Sequence, residues 1–441
     1  MQHMTRNTAL LATLVLSSLT SGLQAAPPPD GRLEVPNEYP SINKAIWAAE
    51  EGDEIIVHFG TYTEDLFIDK NVTIIGVSSN GRQPYVRNLR GPHKVMSGPH
   101  QHVTASFSNL DFGKSSHRLK KSGFTADSAS VEFERCDFWY LSYLSFLDGA
   151  PSDLMTRGGA VRINDGDGSF DNCSFYGNVA YEENDTFCSA RGGAISILRG
   201  SLEVNNSSFI DNQASCRGYW HRLPHEVTCI ASGGAIATDE STLEMMNCEF
   251  LRNIVYTTVA DSDFGESNTA VYGGAVSIIG GQDHQIVKCD FEENWVTGGE
   301  MSGTASRIGG GLYCQSYDKG RVLLDSCTFE ANLADAGGAL CSLDHEIVAK
   351  NTYFICNTSD HLLVTNFSET GCRWWDCQEE QEEGPCLYDL NGDGVVDRDD
   401  YNQARGARRR NQHDGPEDVN GDGRVDQADL DLIQDNYGEC H

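Results

Sequence analysis

GGAISILRGSLEVNNSSFIDN, Gly192 to Asn212, is the stretch that recurs through most of this chain. A Gly-Gly pair followed by Ala or Gly starts at Gly158, Gly192, Gly233, Gly273, Gly309 and Gly337. Each pair leads to a Phe-x-x-Asn, at Phe175/Asn178, Phe209/Asn212, Phe250/Asn253, Phe291/Asn294, Phe329/Asn332 and Phe354/Asn357. From first Gly to Asn the offsets are 20, 20, 20, 21, 23 and 20, so the signal is a structural repeat. Inside a unit the apolar residues alternate, as at Leu202 and Val204, and Gly and Asn punctuate the runs. That pattern predicts short strands joined by tight turns. A unit of 28 to 41 residues cannot bury its own apolar face. The units must therefore stack, and stacked strands of this length predict a parallel β-solenoid with a continuous interior.

Cys136, Cys173, Cys248, Cys289 and Cys327 each stand two residues before a Phe. Two residues apart in a strand means one face, so Cys and Phe both point inward. Ser207 and Thr352 fill the same position in two other units, which predicts a column of small buried side chains, not a metal or redox site. The Asn three residues after each Phe predicts a ladder of side-chain amides running from coil to coil. The glycines suit corners of positive φ or of close backbone approach.

The paired GGA and F-x-x-N signatures, over residues 31 to 370, resemble the repeats of chlamydial polymorphic outer membrane proteins. More broadly they are similar to right-handed parallel β-helix proteins of the pectate-lyase-like class. The resemblance implies a mainly β fold, a right-handed parallel β-helix with an N-terminal capping helix. It implies no particular activity, because one fold hosts many functions.

The first residues carry Arg6, an apolar run from Ala9 to Leu16, and small residues before Pro27, which predicts a secretory signal over residues 1–26. The expected organisation is then a β-helix over 27–375, an acidic linker at 376–385 and a small α-helical module at 386–441. Ser41 caps a predicted helix to about Glu50 whose apolar stripe is Ile42, Ala45, Ile46 and Ala49. In β-helix proteins such a helix plugs the end of the tube. Residues 78 to 122 are locally basic and irregular, and read as a solvated loop. The net charge of −33 argues against nucleic acid and anionic membranes as partners, and favours solubility or cation binding. Fifteen cysteines in an exported chain imply disulfides, with at least one thiol left over.

Repeat length varies between the Asn and the next Gly-Gly, at 179–191, 213–232, 254–272, 295–308 and 333–336. These inserts leave the same corner of successive coils and are expected to gather as loops along one side. The richest carries Tyr219, Trp220, His221 and Arg222, candidates for sugar binding by stacking and hydroxyl hydrogen bonds. Neighbouring inserts add Tyr181, Glu182, Glu183, Asp185, Tyr256, Asp261, Asp263 and Trp295. Cys216, His221, His225 and Cys229 match zinc-ligand types, but Pro224 breaks any helix and the spacing is not a usual zinc pattern. A Cys216–Cys229 disulfide, or one of the two with Cys188, is the expectation, and Cys372–Cys377 is expected as a small closing disulfide.

DLNGDGVVDRDD places Asp389, Asn391, Asp393, Val395, Asp397 and Asp400 at positions 1, 3, 5, 7, 9 and 12 of a calcium loop, with Gly394 at the turn. DVNGDGRVDQAD repeats this with Asp418, Asn420, Asp422, Arg424, Asp426 and Asp429. Position 12 is Asp and the two loops lie 29 residues apart, so residues 386–441 resemble type I dockerins. The resemblance implies calcium as the cofactor and a cohesin-like anchoring partner. Arg398-Asp399 and Gln427-Ala428 depart from the Ser/Thr pairs that dockerins commonly place there. Cys386 and Cys440 bracket the module and are expected to pair. Two functions fit the sequence. One is a secreted or surface protein that binds, and as a lyase or glycoside hydrolase processes, extracellular polysaccharide. The other is a non-catalytic surface or adhesion protein.

Overall fold

The computed structural model describes residues 31–99, 101–113, 122–146, 156–184, 187–218, 227–259, 267–298, 305–316, 320–358 and 361–375. Beyond these it describes residues 390, 395–396, 398–409, 425, 427, 429–430, 433 and 438–439. The chain divides into two compact units, Met1–Asp376 and Cys377–His441.

In the first unit one repeat makes one coil. Ile195–Leu198, Ser201–Asn205 and Ser208–Ile210 are its three main strands. Each pairs in parallel with its counterpart one coil on, Ile195 with Ile236, Leu202 with Leu243 and Phe209 with Phe250. The result is a parallel β-helix whose third-strand sheet runs through eleven coils, from Thr61–Thr63 to Arg373–Trp375. Register keeps like over like. Phe138, Phe175, Phe209, Phe250, Phe291 and Phe329 stack with centroids 4.5–4.9 Å apart, the spacing of neighbouring strands.

The Asn column is the predicted ladder. Asn212 donates from both its backbone N–H and its Nδ2 to Asn253 Oδ1, at 3.1 and 3.0 Å, and from Nδ2 to the Phe175 carbonyl at 2.9 Å. Asn178, Asn253, Asn294 and Asn332 repeat the pattern. The two glycines do different jobs. Gly233 takes φ of 63°, while a β-carbon on Gly234 would stand 2.1 Å from the Gly274 carbonyl of the next coil. The Cys column is buried, and Ser207 Oγ occupies the thiol position while donating to Asn205 O at 2.7 Å.

The helix Ile42–Ala48 forms as its pattern predicts, with Ser41 Oγ accepting from Lys44 N–H. A second cap was not legible: the Glu64 carboxylate accepts from the Ile42 and Asn43 N–H groups at 2.9 Å each. Ile42, Ala45 and Ile46 join the main core cluster.

Three expectations are corrected. The described part of 78–122 is not one loop: Tyr85–Arg87, His93–Met96, Thr104–Ser108 and Asp111–Gly113 are strands of two early coils. Their rungs are Val86 and Phe112, so the column continues with one change of residue type and without the Gly-Gly and Asn signals. The inserts are not loops where they are described. Val179–Asn184 and Phe187–Arg191 belong to two further five-stranded parallel sheets, which begin at Ser142–Phe146 and Thr156–Arg157 and enclose a second core of Ala190, Ala214, Ala231, Val255 and Val271. Cys372 is a free thiol, packed partly against the core in register with Thr352, so it is one more member of the small-residue column. Trp374, two residues on, stacks on Phe354 at 4.2 Å as the next aromatic rung. Cys356 is the disulfide-bonded residue in this region. Cys188–Cys216 is a disulfide, one of the pairings the sequence left open.

In the second unit, Arg398–Arg409 is helical, with Asp400, Ala404 and Ala407 buried on one stripe. Val395–Val396 pairs antiparallel with Gly438–Glu439.

Candidate functional site

Each third strand is three residues long, with its middle residue inside and its flanks outside. Register therefore sorts the flanks into two outward columns. The first runs Asp111, Asp137, Ser174, Ser208, Glu249, Asp290 and Thr328. The second runs Gly113, Trp139, Tyr176, Ile210, Leu251, Glu292 and Glu330.

Asp111 and Asp137 lie opposite each other on adjacent coils. Burial, then the Asp137 charge and a hydrogen bond to it, push the Asp111 carboxyl up to about 6. Burial raises Asp137 too, but hydrogen bonds from Ser174 and Asp111 oppose the rise. Of the two opposed carboxyls, Asp111 is therefore the one whose ionisation is held back by burial and by its neighbour's charge. A group with this proton affinity serves acid–base chemistry near neutrality.

Aromatic rings flank the pair. Trp139, on the same face as Asp137, lies 5.7 Å from Tyr176 by centroid, and Tyr140 meets Tyr176 edge-on at 5.2 Å. Trp139 and Tyr140 are 39 % and 56 % exposed, so their surfaces are open to a ligand. On the other side Tyr85 lies beneath the Arg87 guanidinium at 4.8 Å. Gly113 makes room for that ring: a β-carbon there would stand 1.9 Å from the Tyr85 hydroxyl. Further along the face, a groove of about 770 Å³ is bounded by Asn172, Asn206, Asn247 and Lys288 at the turn, with Glu249, Asp290, Glu292 and Glu330 on its floor. Glu292 is raised above the usual carboxylate range by burial and then by Glu330, Glu293, Glu249 and Asp290.

No family model matches the chain, and no curated protein matches it. Solved structures do. The chain is similar to the catalytic domain of a GH87 alpha-1,3-glucanase in complex with nigerose, at 12 % identity and TM-score 0.30, covering 80 % of this chain and 70 % of that one. It is also similar to the Azotobacter vinelandii mannuronan C-5 epimerase AlgE6 A-module, at 13 % identity and TM-score 0.30, over 75 % of this chain and 93 % of that one. A third is the bacteriophage CBA120 tailspike protein 3, at 9 % and 0.27, over 75 % and 58 %. Likeness this distant carries no argument about activity, and the fold rests on the ladders themselves.

The sequence-derived sugar site Tyr219, Trp220, His221 and Arg222 lies outside the described residues, as do Asp185, Asp261 and Asp263. Of its neighbours, Glu182 is not a surface carboxylate: it is turned into the second core, 2 % exposed, where Oε2 accepts from Ser189 N–H at 3.2 Å. Tyr181 instead bonds Glu183 at 2.5 Å. The outward columns were missed, although their signal was present as the residues on either side of each Phe in CDFW, CSFY, CEFL and CDFE.

Of the calcium-loop residues, Val395, Asp400 and Asp429 are described, and Asp389, Asn391, Asp393, Asp397, Asp418, Asn420, Asp422, Arg424 and Asp426 lie outside. Both position-12 carboxylates, Asp400 and Asp429, are fully buried, and Asp400 Oδ1 accepts from Leu390 N–H at 2.8 Å.

Proposed function

We propose that this chain binds a polysaccharide along the outer face of its eleven-stranded sheet and processes it by acid–base chemistry at Asp111 and Asp137. The observation that carries the reading is the pair of opposed aspartates on adjacent coils, flanked by open aromatic surfaces on one face. Trp139 and Tyr176 supply stacking surfaces for sugar rings, and Asn172, Asn206 and Asn247 at the turn supply hydroxyl partners. Asp111 donates its proton to a departing or bridging oxygen, and Asp137 holds it in place. The face is acidic beyond the pair, so neutral glycans are the expected class and polyanionic ones are repelled. The protein acts outside the cell after loss of its signal. The C-terminal unit serves as a calcium-dependent attachment module for a cohesin-like partner, with Asp389, Asn391, Asp393, Asp397 and Asp400 and their equivalents from Asp418 to Asp429 as ligands. Calcium supplies the charge that lets these acidic loops close.

The test is a panel of neutral and acidic polysaccharides incubated with the purified chain, with calcium and with chelator, read for new chain ends and for retention. Wild type is expected to release product from a neutral glycan. Asp111→Asn and Asp137→Asn should lose product and keep retention, while Trp139→Ala with Tyr176→Ala should lose retention. Retention without product would make the protein a binding or adhesion scaffold, and neither would overturn the reading.

A further inference from the structure

Three cysteine sulfurs converge where the two insert sheets face each other. Cys216 stands beside Glu182 in one ladder, and Cys188 stands directly opposite Cys229 in the other. All three cysteines are fully buried, and their sulfurs lie within 4.8 Å of one another. Among the described residues this is the one group of three metal-ligating side chains that close. The small-residue column of the main core cannot do the same. It brings one thiol per coil into a single file, so three consecutive members span two strand spacings. Convergence here needs two sheets, each contributing from its own ladder.

Cys188 and Cys216 form a disulfide, which leaves Cys229 as a third thiol against it. The surrounding residues, Ala190, Ala214, Ala231 and Val271, are small and apolar. A bare thiolate is disfavoured in such a place, and burial, then the Glu182 charge, pushes the Cys229 thiol up to about 12. A bound cation reverses that preference, because metal binding displaces thiol protons. Tetrahedral zinc–sulfur bonds of about 2.3 Å put ligand sulfurs about 3.8 Å apart, so the two bonded sulfurs must separate on reduction while Cys229 stays within reach.

We propose that Cys188, Cys216 and Cys229 form a buried thiolate site for a soft divalent cation of the zinc class, available when the Cys188–Cys216 disulfide is reduced. A small-molecule thiol supplies two electrons and two protons to that disulfide and is itself oxidised to a disulfide. The cation then displaces three protons and binds three sulfurs. Disulfide and metal are alternative staples for the same two sheets: the first suits an oxidising compartment and the second a reducing one. The calcium loops offer hard oxygens and do not compete for such an ion.

The experiment uses the full chain, reduced anaerobically with excess dithiol that is then removed, and titrated with cobalt(II) and zinc(II). A sulfur-to-cobalt charge-transfer band saturating at one equivalent is expected, together with three sulfurs around zinc by X-ray absorption. Cys229→Ser should weaken cobalt binding by at least about 10-fold, the loss that even outer-shell changes bring. Cys248→Ser, in the column where Ser207 already occurs, should leave it unchanged. Absence of the band in the reduced wild type, or a band that survives Cys229→Ser at full affinity, overturns the proposal. If Cys229→Ser does not fold, as read by circular dichroism, the wild-type sulfur count decides, and fewer than three sulfurs overturns it.

Discussion

Asp111 and Asp137 are 26 residues apart in sequence and directly opposed on adjacent coils, where burial and the Asp137 charge raise the Asp111 carboxyl. Because the Asp111 carboxyl is raised to about 6 in the folded chain, the native state keeps a proton that the unfolded state has lost above its ordinary value of 3.8. Stability therefore falls as pH rises from about 3.8 to about 6 on account of this group. We expect Asp111→Asn to stabilise the chain at pH 7 by about 1 kcal/mol, discounting for the half-exposed carboxyl, as read by urea denaturation. Unchanged stability would mean the Asp111 carboxyl is not raised in the folded chain.

The same pair sets a catalytic pH dependence. Product formation should decline as pH rises through about 6, where Asp111 loses its proton. Asp137→Asn removes the neighbouring charge and should lower the Asp111 titration midpoint, measurable by carboxyl-carbon NMR. A midpoint unmoved by that change would assign the shift to burial alone.

Buried histidines act with the opposite sign. His345 is fully buried beside His284, with centroids 5.4 Å apart. Burial, then His284, lowers it to about 4, and burial lowers His93 to about 3. The unfolded chain takes up protons near 6.5 that the folded chain refuses, so stability is lost as pH falls from about 6.5 toward 4. We expect His345→Phe to flatten that loss by on the order of 2 kcal/mol in urea midpoints taken across the window. A slope equal to wild type would place the acid sensitivity elsewhere.

The amide ladder is less tolerant than the thiol column. Asn253→Ala removes the acceptor for the Asn212 N–H and Nδ2 and the donor to the Phe209 carbonyl, all within the buried core. At about 1–3 kcal/mol for each stranded polar group, a loss of about 4 kcal/mol is expected. Cys248→Ser should cost about 1 kcal/mol or less, since Ser207 already donates to Asn205 O in that column. Equal losses in chemical denaturation would mean the ladder is not what holds the coils in register.

For the C-terminal unit, Asp400→Ala with Asp429→Ala is expected to abolish calcium binding by calorimetry. The far-UV signal of the β-helix should persist. Unaltered calcium affinity would refute the proposed ligand set.

The sequence by itself determined the solenoid, because every element of the coil repeats locally. Gly-Gly gives the corner, Phe the rung and Asn the ladder, and parallel stacking of identical units leaves register little choice. Where the rung changed type, as at Val86 and Trp374, or stood without a Gly-Gly-Asn frame, as at Phe112, the same coils were not legible. Only the tertiary structure decided which surface residues meet. Outward side chains carry no periodic constraint, so the Asp111–Asp137 pair and the Trp139–Tyr176 contact exist only once register sets one coil on the next. The same holds for Cys188, Cys216 and Cys229. Inserts of unequal length hide their alignment in sequence, and two facing sheets bring their sulfurs together.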